Sequence, residues 1–255
     1  MVRPYGPSEA NAMTKLALLF PVYNEATVLP WSVRTLTAYA QEALREYDWR
    51  IVVVDNASTD NTPAAIAALQ HEFQDLEYLR IPTKGRGIAL RRAWTDLDYE
   101  VSLYMDVDLA VSLEAVRTVV DAVAHGDADI AVGSRYAPGA KIERSVMRSI
   151  TSVGYNVLTK LIIGLHTRDA QCGFKAIRKA VATQLIPLVK DNFWFFDTEL
   201  LVHAERKGLR IREVPVTWVE TRPALRKSKV NVLKTIVNYI IALCRLRWQM
   251  VRGQL

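Results

Sequence analysis

The chain has 255 residues, of which half are hydrophobic and 24% are charged, with 11 glycines and 10 prolines. This profile is typical of a globular protein and excludes a disordered or fibrous chain. A parallel α/β fold of about 250 residues commonly forms one domain that buries enough surface to hold a deep cleft. The two cysteines, Cys172 and Cys244, are far apart in the sequence, which excludes a zinc ribbon or a disulfide scaffold and favours a reducing compartment.

The net charge of +6 is unevenly distributed along the chain. From Arg222 onward there are eight basic residues and no acidic ones, which leaves 25 basic and 27 acidic residues before that point. A near-neutral body with a basic, partly apolar tail favours an anionic membrane surface as partner and argues against nucleic acid. The longest stretch without a charged residue has 11 residues, whereas a membrane-spanning helix needs about 18 or more. No secretory leader is expected, because the residues up to Thr14 are polar and the apolar stretch Leu16–Phe20 is short.

From Lys15 onward, short β-type runs alternate with segments of helical periodicity, which predicts successive βα units. The predicted strands are Lys15–Phe20, Ile51–Val54, Glu77–Ile81, Val101–Met105 and Ile130–Val132. The predicted helices are Thr27–Arg45, one that starts at Thr62 and Pro63, Arg86–Leu97, Leu113–His125, Ser145–Leu165 and Val230–Val251. In the second helix, Thr62 is expected to be the N-cap and Pro63 the first helical residue. In an open parallel sheet the carboxyl ends of the strands form the ligand crevice, so the polar turns that follow the strands should converge.

Asp106 and Asp108 directly follow the predicted strand Val101–Met105 and are separated by one residue. Two carboxylates at a strand end can converge on one point, and such oxygen ligands suit Mg²⁺ or Mn²⁺ bound to phosphate. A solvated turn of the same composition is the alternative, because an isolated Asp-x-Asp pair is a weak motif.

Three further motifs follow predicted strands: Pro21–Glu25, Val53–Asp60 and Lys84–Gly87. In order and spacing, these motifs and the Asp-x-Asp pair resemble the donor half of family 2 glycosyltransferases, and the resemblance extends from about Leu16 to Val219. It implies a Rossmann-like α/β fold of the GT-A type, with a mostly parallel sheet flanked by helices. It also implies a nucleoside-diphosphate sugar, GDP- or UDP-linked, as the donor.

The resemblance carries donor-site roles onto the matched residues. The implied nucleoside and donor contacts are Pro21, Tyr23, Glu25, Asp55, Lys84 and Gly85. Asp106 and Asp108 are implied to be catalytic, as ligands of Mg²⁺ or Mn²⁺ and of the donor diphosphate.

One departure from the family pattern is Asn56, which stands where a second aspartate is common. Each donor motif also has a purely structural alternative: core packing for Tyr23, turn formation for Asp55 and a tight turn for Lys84–Gly87. A dinucleotide-binding loop is disfavoured, because Leu90 occupies the position of the third glycine that such a loop requires.

Five segments of the second half look like the polyprenyl-phosphate sugar synthases: Gly133–Arg135, Arg148 with Ser152, Asp169–Lys175, Phe196–Leu201 and Glu213–Trp218. This resemblance implies an inverting, metal-dependent transfer of a hexose such as mannose or glucose to polyprenyl phosphate. The residues expected to bind the acceptor phosphate are Arg135, Arg148, Ser152, Arg222 and Lys229, and Arg135 is also expected to be catalytic. Arg148 and Ser152 are four residues apart, so a helix presents both on one face, where a guanidinium fits phosphate oxygens. A solvated helix face is the alternative.

Two other functions remain open at this stage. A glycosyltransferase with a hydroxyl acceptor would need a general base, for which Asp197 or Glu199 is the candidate. A phosphate acceptor would not, because its second pKa is near 6 and it is largely ionised at neutral pH. The alternative of another class is a membrane-surface protein that binds nucleotide without turnover.

The predicted organisation is a catalytic domain over residues 15–220 and a basic amphipathic tail over residues 221–255. The tail helix, Val230–Val251, carries cations and no acids, as is typical of a helix that lies on a membrane surface. The apolar stripe of Ser145–Leu165 is explained equally well by core packing. The protein is therefore expected to be cytoplasmic, bound peripherally to the cytoplasmic face of a membrane.

Overall fold

The computed structural model describes residues 13–143, 146–219 and 232–253. The side chains at positions 146–151 and 232–236 are not described. The strands are β1 (Thr14–Val22), β2 (Tyr47–Asn56), β3 (Leu76–Ile81), β4 (Val101–Met105), β5 (Ile130–Ser134), β6 (Lys141–Glu143), β7 (Phe174–Arg178), β8 (Ile211–Pro215) and β9 (Thr217–Val219). The helices are α1 (Leu29–Ala43), α2 (Thr62–Glu72), α3 (Arg86–Asp96), α4 (Glu114–Ala124), α5 (Val146–Ile163), α6 (Lys179–Leu185), α7 (Phe196–Arg206) and α8 (Val232–Val251).

Seven strands form one sheet in the order β3-β2-β1-β4-β7-β5-β8. All neighbouring pairs in it are parallel except those of β7, which runs antiparallel to both β4 and β5. Strands β6 and β9 form a separate parallel pair. The order confirms the predicted α/β fold with a mostly parallel sheet flanked by helices.

The core lies between the sheet and the helices that pack on it. In β2 the run Ile51–Val54 is completely buried or nearly so, as its four β-branched residues predict for a strand covered on both faces. The five predicted strands correspond to β1 to β5, and most of them extend by one to four residues beyond the apolar run. At β1 and β2 the extension carries the start of the polar motif, so Pro21 and Asp55 lie inside the sheet, whereas the other motifs follow β3 and β4.

The predicted cap of α2 is wrong in detail. Thr62 is already helical and the N-cap position is occupied by Asn61. The hydroxyl of Thr62 instead accepts a hydrogen bond from the backbone N–H of Glu25, 2.8 Å away. Thr62 therefore joins the start of α2 to the loop after β1.

Candidate active site

The loop after β1 is held against the loop after β2 by Asn24, whose backbone has a positive φ of 56°. The side-chain oxygen of Asn24 accepts hydrogen bonds from the backbone N–H groups of Thr59 and Asp60 at 2.7 and 3.3 Å. Asparagine tolerates the left-handed conformation better than most residues, which suits this position. The first two polar motifs are thus one connected structure at the carboxyl edge of the sheet.

Asp55 is the next-to-last residue of β2, and its side chain is completely buried. One carboxylate oxygen accepts a hydrogen bond from the backbone N–H of Ser58 at 2.9 Å, and the other accepts from the hydroxyl of Tyr78 at 3.0 Å. The neighbouring Asn56 accepts a hydrogen bond from the backbone N–H of Gly85 at 2.7 Å. An amide oxygen makes this bond without a charge, so the position at which the sequence departs from the family pattern has a structural role.

The Lys84–Gly87 segment forms the start of α3 and packs against the segment before α7. Lys84 places its ammonium group 3.7 Å from the centre of the Tyr23 ring. The carbonyl of Asn192 accepts hydrogen bonds from the backbone N–H groups of Gly87 and Ile88. A Cβ atom at Gly85 would lie 2.5 Å from that carbonyl oxygen, so only glycine allows this close approach.

Asp106 and Asp108 lie at the end of β4, as predicted, in unequal surroundings. The side chain of Asp106 is 45% exposed, whereas Asp108 is buried and accepts a hydrogen bond from the backbone N–H of Ala110. Arg86, the first residue of α3, places its Nη2 atom 2.9 Å from Oδ1 of Asp106. A Cβ atom at Gly173, just before β7, would lie 2.3 Å from Oδ2 of the same carboxylate.

The two carboxylates fit a divalent cation that completes its coordination with substrate and water. Within the described ranges, no group of three or more His, Cys, Asp or Glu side chains is arranged to hold a metal. Mg²⁺ is typically bound by one or two carboxylates together with substrate phosphates, so Asp106 and Asp108 would suffice in that role.

Asp197 lies on the first turn of α7 and is 2% exposed. Its Oδ1 atom accepts hydrogen bonds from the hydroxyl of Tyr104 and from Nζ of Lys175, the latter at 3.0 Å. Lys175 is itself completely buried and also donates to the carbonyl oxygen of Cys172. Asp197 is therefore part of a buried ion pair, and its carboxylate does not face solvent.

Arg135 follows β5 and makes a bidentate pair with Asp169, with Nε and Nη2 at 2.8 Å from the two carboxylate oxygens. Burial favours a higher pKa for Asp169, but the hydrogen bonds and charge of Arg135 outweigh it and leave the pKa below its usual value. Ser152 accepts a hydrogen bond from the hydroxyl of Tyr136 at 2.7 Å. The Arg135–Asp169 pair thus joins the end of β5 to the segment that precedes β7.

The other predicted acceptor residues are only partly covered by the structure. The backbone of Arg148 belongs to α5, but its side chain lies outside the described residues. Arg222 and Lys229 also lie outside the described residues. Their assignment to the acceptor phosphate stays a prediction.

Sequence reasoning missed three contributors to this site. Arg86 was seen only as part of a glycine turn, Gly173 only as part of a motif, and Trp194 not at all. Trp194 places its ring 4.8 Å from the guanidinium carbon of Arg86. The alternation of glycine and basic residues in Lys84–Gly87 is the one local signal for an anion-binding loop. Nothing local in the sequence indicates that Gly173 lies against Asp106 or that Trp194 lies against Arg86.

These features define a mostly parallel α/β fold with a pair of carboxylates after β4, next to the antiparallel strand β7. The family model for glycosyl transferase family 2 matches residues 18–186, and the chain belongs to that family.

Three curated relatives are similar to the chain, and the names of two of them state a polyprenyl-phosphate acceptor. The chain is 32% identical over 246 residues to glycosyltransferase AglD of Haloferax volcanii, covering 96% of this chain and 39% of that protein. It is 29% identical over 245 residues to the dolichyl-phosphate beta-glucosyltransferase of Saccharomyces cerevisiae, covering 87% of this chain and 73% of the relative. It is 28% identical over 250 residues to the undecaprenyl-phosphate mannosyltransferase of Micrococcus luteus, covering 94% of this chain and 99% of the relative. The chain thus spans about two fifths of the archaeal relative and nearly all of the bacterial one.

Among solved structures, the chain is similar to glucosyl-3-phosphoglycerate synthase from Mycobacterium tuberculosis in complex with Mn²⁺, UDP-glucose and phosphoglyceric acid. The TM-score is 0.64 at 16% identity, with 91% of this chain and 80% of the other covered. At this identity the likeness establishes the shared fold.

Proposed function

We propose that this chain transfers a hexose from a GDP- or UDP-linked sugar to a polyprenyl phosphate at a membrane surface. The observation that carries the proposal is an apolar groove lined by Trp194, whose ring also contacts Arg86 of the candidate site. The names of the yeast and bacterial relatives, which act on dolichyl and undecaprenyl phosphate, support the same acceptor class.

The groove lies between the segment before α7 and one face of α8, with a volume of about 450 Å³. Its walls include Phe193, Trp194, Tyr239 and Ile241, and Arg245 lines it as well. Trp194 also contacts Arg86, which pairs with Asp106, so the groove is linked to the carboxylate pair through the side chain of Arg86. An apolar groove at this position suits the first isoprene units of a lipid acceptor better than it suits a free saccharide.

The burial of Asp197 further favours a phosphate acceptor over a hydroxyl acceptor. A general base must come within hydrogen-bond reach of the proton that it removes. Asp197 is 2% exposed and engaged by Lys175 and Tyr104, so we assign it a positioning role under the site.

The proposed reaction is a single displacement with inversion at the anomeric carbon. An acceptor phosphate oxygen, already ionised at neutral pH, forms the new bond to the sugar, and the bond to the nucleoside diphosphate breaks with its electron pair on the diphosphate. Arg135 has five N–H donors, of which Asp169 engages the one on Nε and one of the two on Nη2; within the described residues the Nη1 donors are then left to orient the acceptor phosphate. Mg²⁺ or Mn²⁺, held by Asp106 and Asp108, would neutralise charge on the departing diphosphate.

Two exposed apolar stripes on neighbouring helices support docking on a membrane. On α5 the stripe is Val153, Val157 and Leu161, and on α8 it is Val237, Ile241 and Trp248. The two helices pack together, with the rings of Tyr155 and Tyr239 4.8 Å apart. No helix in the described part of the chain is long and apolar enough to cross a bilayer. Helices with one apolar face and flanking cations typically lie in the membrane interface. We propose the cytoplasmic face, because its leaflet carries the anionic lipids that attract basic segments.

The test is a panel of UDP- and GDP-linked hexoses with two acceptors, a short polyprenyl phosphate and a polyprenyl-linked saccharide, scored for labelled lipid product. Asp108→Asn should lose turnover, because it removes a charge that holds the metal and diphosphate. Asp98→Asn is the matched control, since its side chain is 96% exposed and lies in the loop between α3 and β4. Transfer to a polyprenyl-linked saccharide with none to polyprenyl phosphate would overturn the proposal.

A further inference from the structure

The buried guanidinium of Arg86 is paired with Asp106, one of the two carboxylates that are expected to bind the metal. Arg86 has a side chain that is 13% exposed, and its Nη2 atom lies 2.9 Å from Oδ1 of Asp106. Within the described residues, its Nε and Nη2 atoms make no hydrogen bond of acceptable geometry. A buried charged donor without a hydrogen bond is costly, so the site is suited to a ligand that brings further acceptor oxygens.

We propose that Arg86 is a resident cation of the donor site. Arg86 pairs with Asp106, and it would donate hydrogen bonds to the diphosphate of the donor when Asp106 holds Mg²⁺ or Mn²⁺. The inference rests on the proposed function only in its use of a nucleoside-diphosphate donor.

The surroundings hold Arg86 at this point. Its guanidinium carbon lies 5.4 Å from the centre of the Tyr104 ring and 4.8 Å from that of Trp194. Aromatic faces stabilise a guanidinium without consuming its N–H donors. A Cβ atom at Gly173 would come within 2.7 Å of Nη2 of Arg86 and 2.3 Å of Asp106, so glycine is required for the pair to meet.

The backbone next to Arg86 is equally constrained. Asn192 accepts from the N–H groups of Gly87 and Ile88, and Asn56 accepts from that of Gly85. Because the first turn of α3 is fixed at three points, a change of partner from Asp106 to a ligand requires only side-chain rotation of Arg86. The site is therefore prepared for exchange between two anionic partners.

Charge balance favours the same assignment. Among the described residues, Asp106 pairs with the guanidinium of Arg86, whereas the guanidinium of Arg135 is already paired with Asp169. A divalent cation and a diphosphate that enter together add charges of opposite sign, and Arg86 then offsets part of the extra negative charge. Without Arg86, Mn²⁺ would not compete with a guanidinium for Asp106, whereas the diphosphate would lose a charge-assisted partner.

The experiment compares Arg86→Met and Arg86→Lys with the wild type in two calorimetric titrations, one with Mn²⁺ alone and one with UDP or GDP in the presence of Mn²⁺. In Arg86→Met we expect Mn²⁺ alone to bind roughly tenfold tighter, and the nucleoside diphosphate to bind roughly tenfold or more weaker. Arg86→Lys keeps the charge and should lie between the wild type and Arg86→Met in both titrations. Arg92→Met is the matched control, because Arg92 is on the same helix, half-exposed and paired with Asp96.

A purely structural Arg86 would predict lower thermal stability with the affinity for Mn²⁺ unchanged or reduced, and that result would overturn the proposal. If Arg86→Met does not fold, an Arg86→Lys variant with wild-type affinities in both titrations would overturn it as well. Neither titration includes a lipid acceptor or measures sugar transfer. Both results therefore hold even if the proposed acceptor is wrong. The titration with Mn²⁺ alone contains no nucleoside diphosphate, so its result also does not depend on the proposed donor.

Discussion

At the scale of single residues, the candidate site depends on close contacts that one side chain can prevent. Gly173 is the clearest case, since no Cβ atom fits between it and Oδ2 of Asp106. The backbone carbonyl of Gly173 also accepts a hydrogen bond from the N–H of Asp106 at 3.1 Å. In the sequence Gly173 is only one residue of a family motif. The structure shows that a glycine is needed there to leave room for the carboxylate of Asp106.

Gly173→Ala should reduce turnover by about a hundredfold, because a displacement of about 1 Å in a catalytic group has effects of that size. The measurement is kcat/KM with the best donor, together with circular dichroism to show that the fold persists. Gly154→Ala is the matched control, because a Cβ atom at Gly154 meets nothing within 4 Å. Equal activity of the two variants would contradict the steric argument.

Lys175→Met should lower the free energy of unfolding by about 3–5 kcal/mol, because it leaves the carboxylate of Asp197 buried without its counter-charge. Urea unfolding measures the change, and Lys190→Met, at an exposed position, should leave the midpoint almost unmoved. The double variant Lys175→Met with Asp197→Leu should recover part of the loss. If the single and double variants were equally unstable, packing of Lys175 and not its ion pair would be responsible.

At the scale of elements, α5 and α8 combine a packed face with an exposed apolar one. Leu243 and Leu246 of α8 are completely buried, and Tyr239 donates a hydrogen bond to Gln171 at 3.0 Å. The described part of the tail is therefore packed against the catalytic body, and its removal would also open the groove. Single substitutions on the exposed stripes test membrane docking without that disturbance.

Leu161→Glu and Trp248→Glu should each weaken binding to anionic vesicles about tenfold or more, since each loses an apolar side chain worth about 1.5–3 kcal/mol on burial. Leu161 is 78% exposed and Trp248 53%, so neither change should affect folding. Trp31→Glu on α1 is a matched control with a half-exposed aromatic residue elsewhere. Vesicle co-sedimentation gives the three affinities, and a loss as large for Trp31→Glu would remove α5 and α8 as the docking surface.

At the scale of the whole molecule, charge is segregated between a body of 25 basic and 27 acidic residues and a tail with eight cations and no acids. Each basic residue near an anionic surface contributes about 1 kcal/mol to adsorption, and salt screens this attraction. The apolar stripes are insensitive to screening. The two contributions to docking can therefore be separated by ionic strength.

Raising the ionic strength from about 0.1 M to about 1 M shortens the Debye length from about 10 Å to about 3 Å and should strongly reduce binding to anionic vesicles. Binding to vesicles of neutral lipid should be weaker at the start and change little with salt. Calorimetric affinity for nucleoside diphosphate in the same buffers controls for effects on the enzyme itself. Adsorption that is equal on neutral and anionic vesicles would show that the basic tail does not contribute.

Much of the architecture was predictable from local pattern. Apolar runs and helical periodicity located β1 to β5 and the helices between them, because burial of regular elements imposes those periods on the sequence. The motifs at the strand ends indicated the family and the donor side of the site. The cap of α2 was mispredicted because tertiary contact with the backbone of Glu25 engages the hydroxyl of Thr62.

Tertiary structure alone decided how the second half completes the site. The antiparallel insertion of β7 between β4 and β5 brings Gly173 against Asp106 and Lys175 under Asp197. The Arg86–Asp106 pair and the wall formed by Trp194 likewise join segments that are distant in the chain. The sequence by itself determined the elements and their polar ends, since these depend on neighbours a few residues away. Which of those polar ends come into contact around the Asp106 carboxylate, Arg86 and the groove depends on the strand order. The strand order is set by the packing of the whole chain.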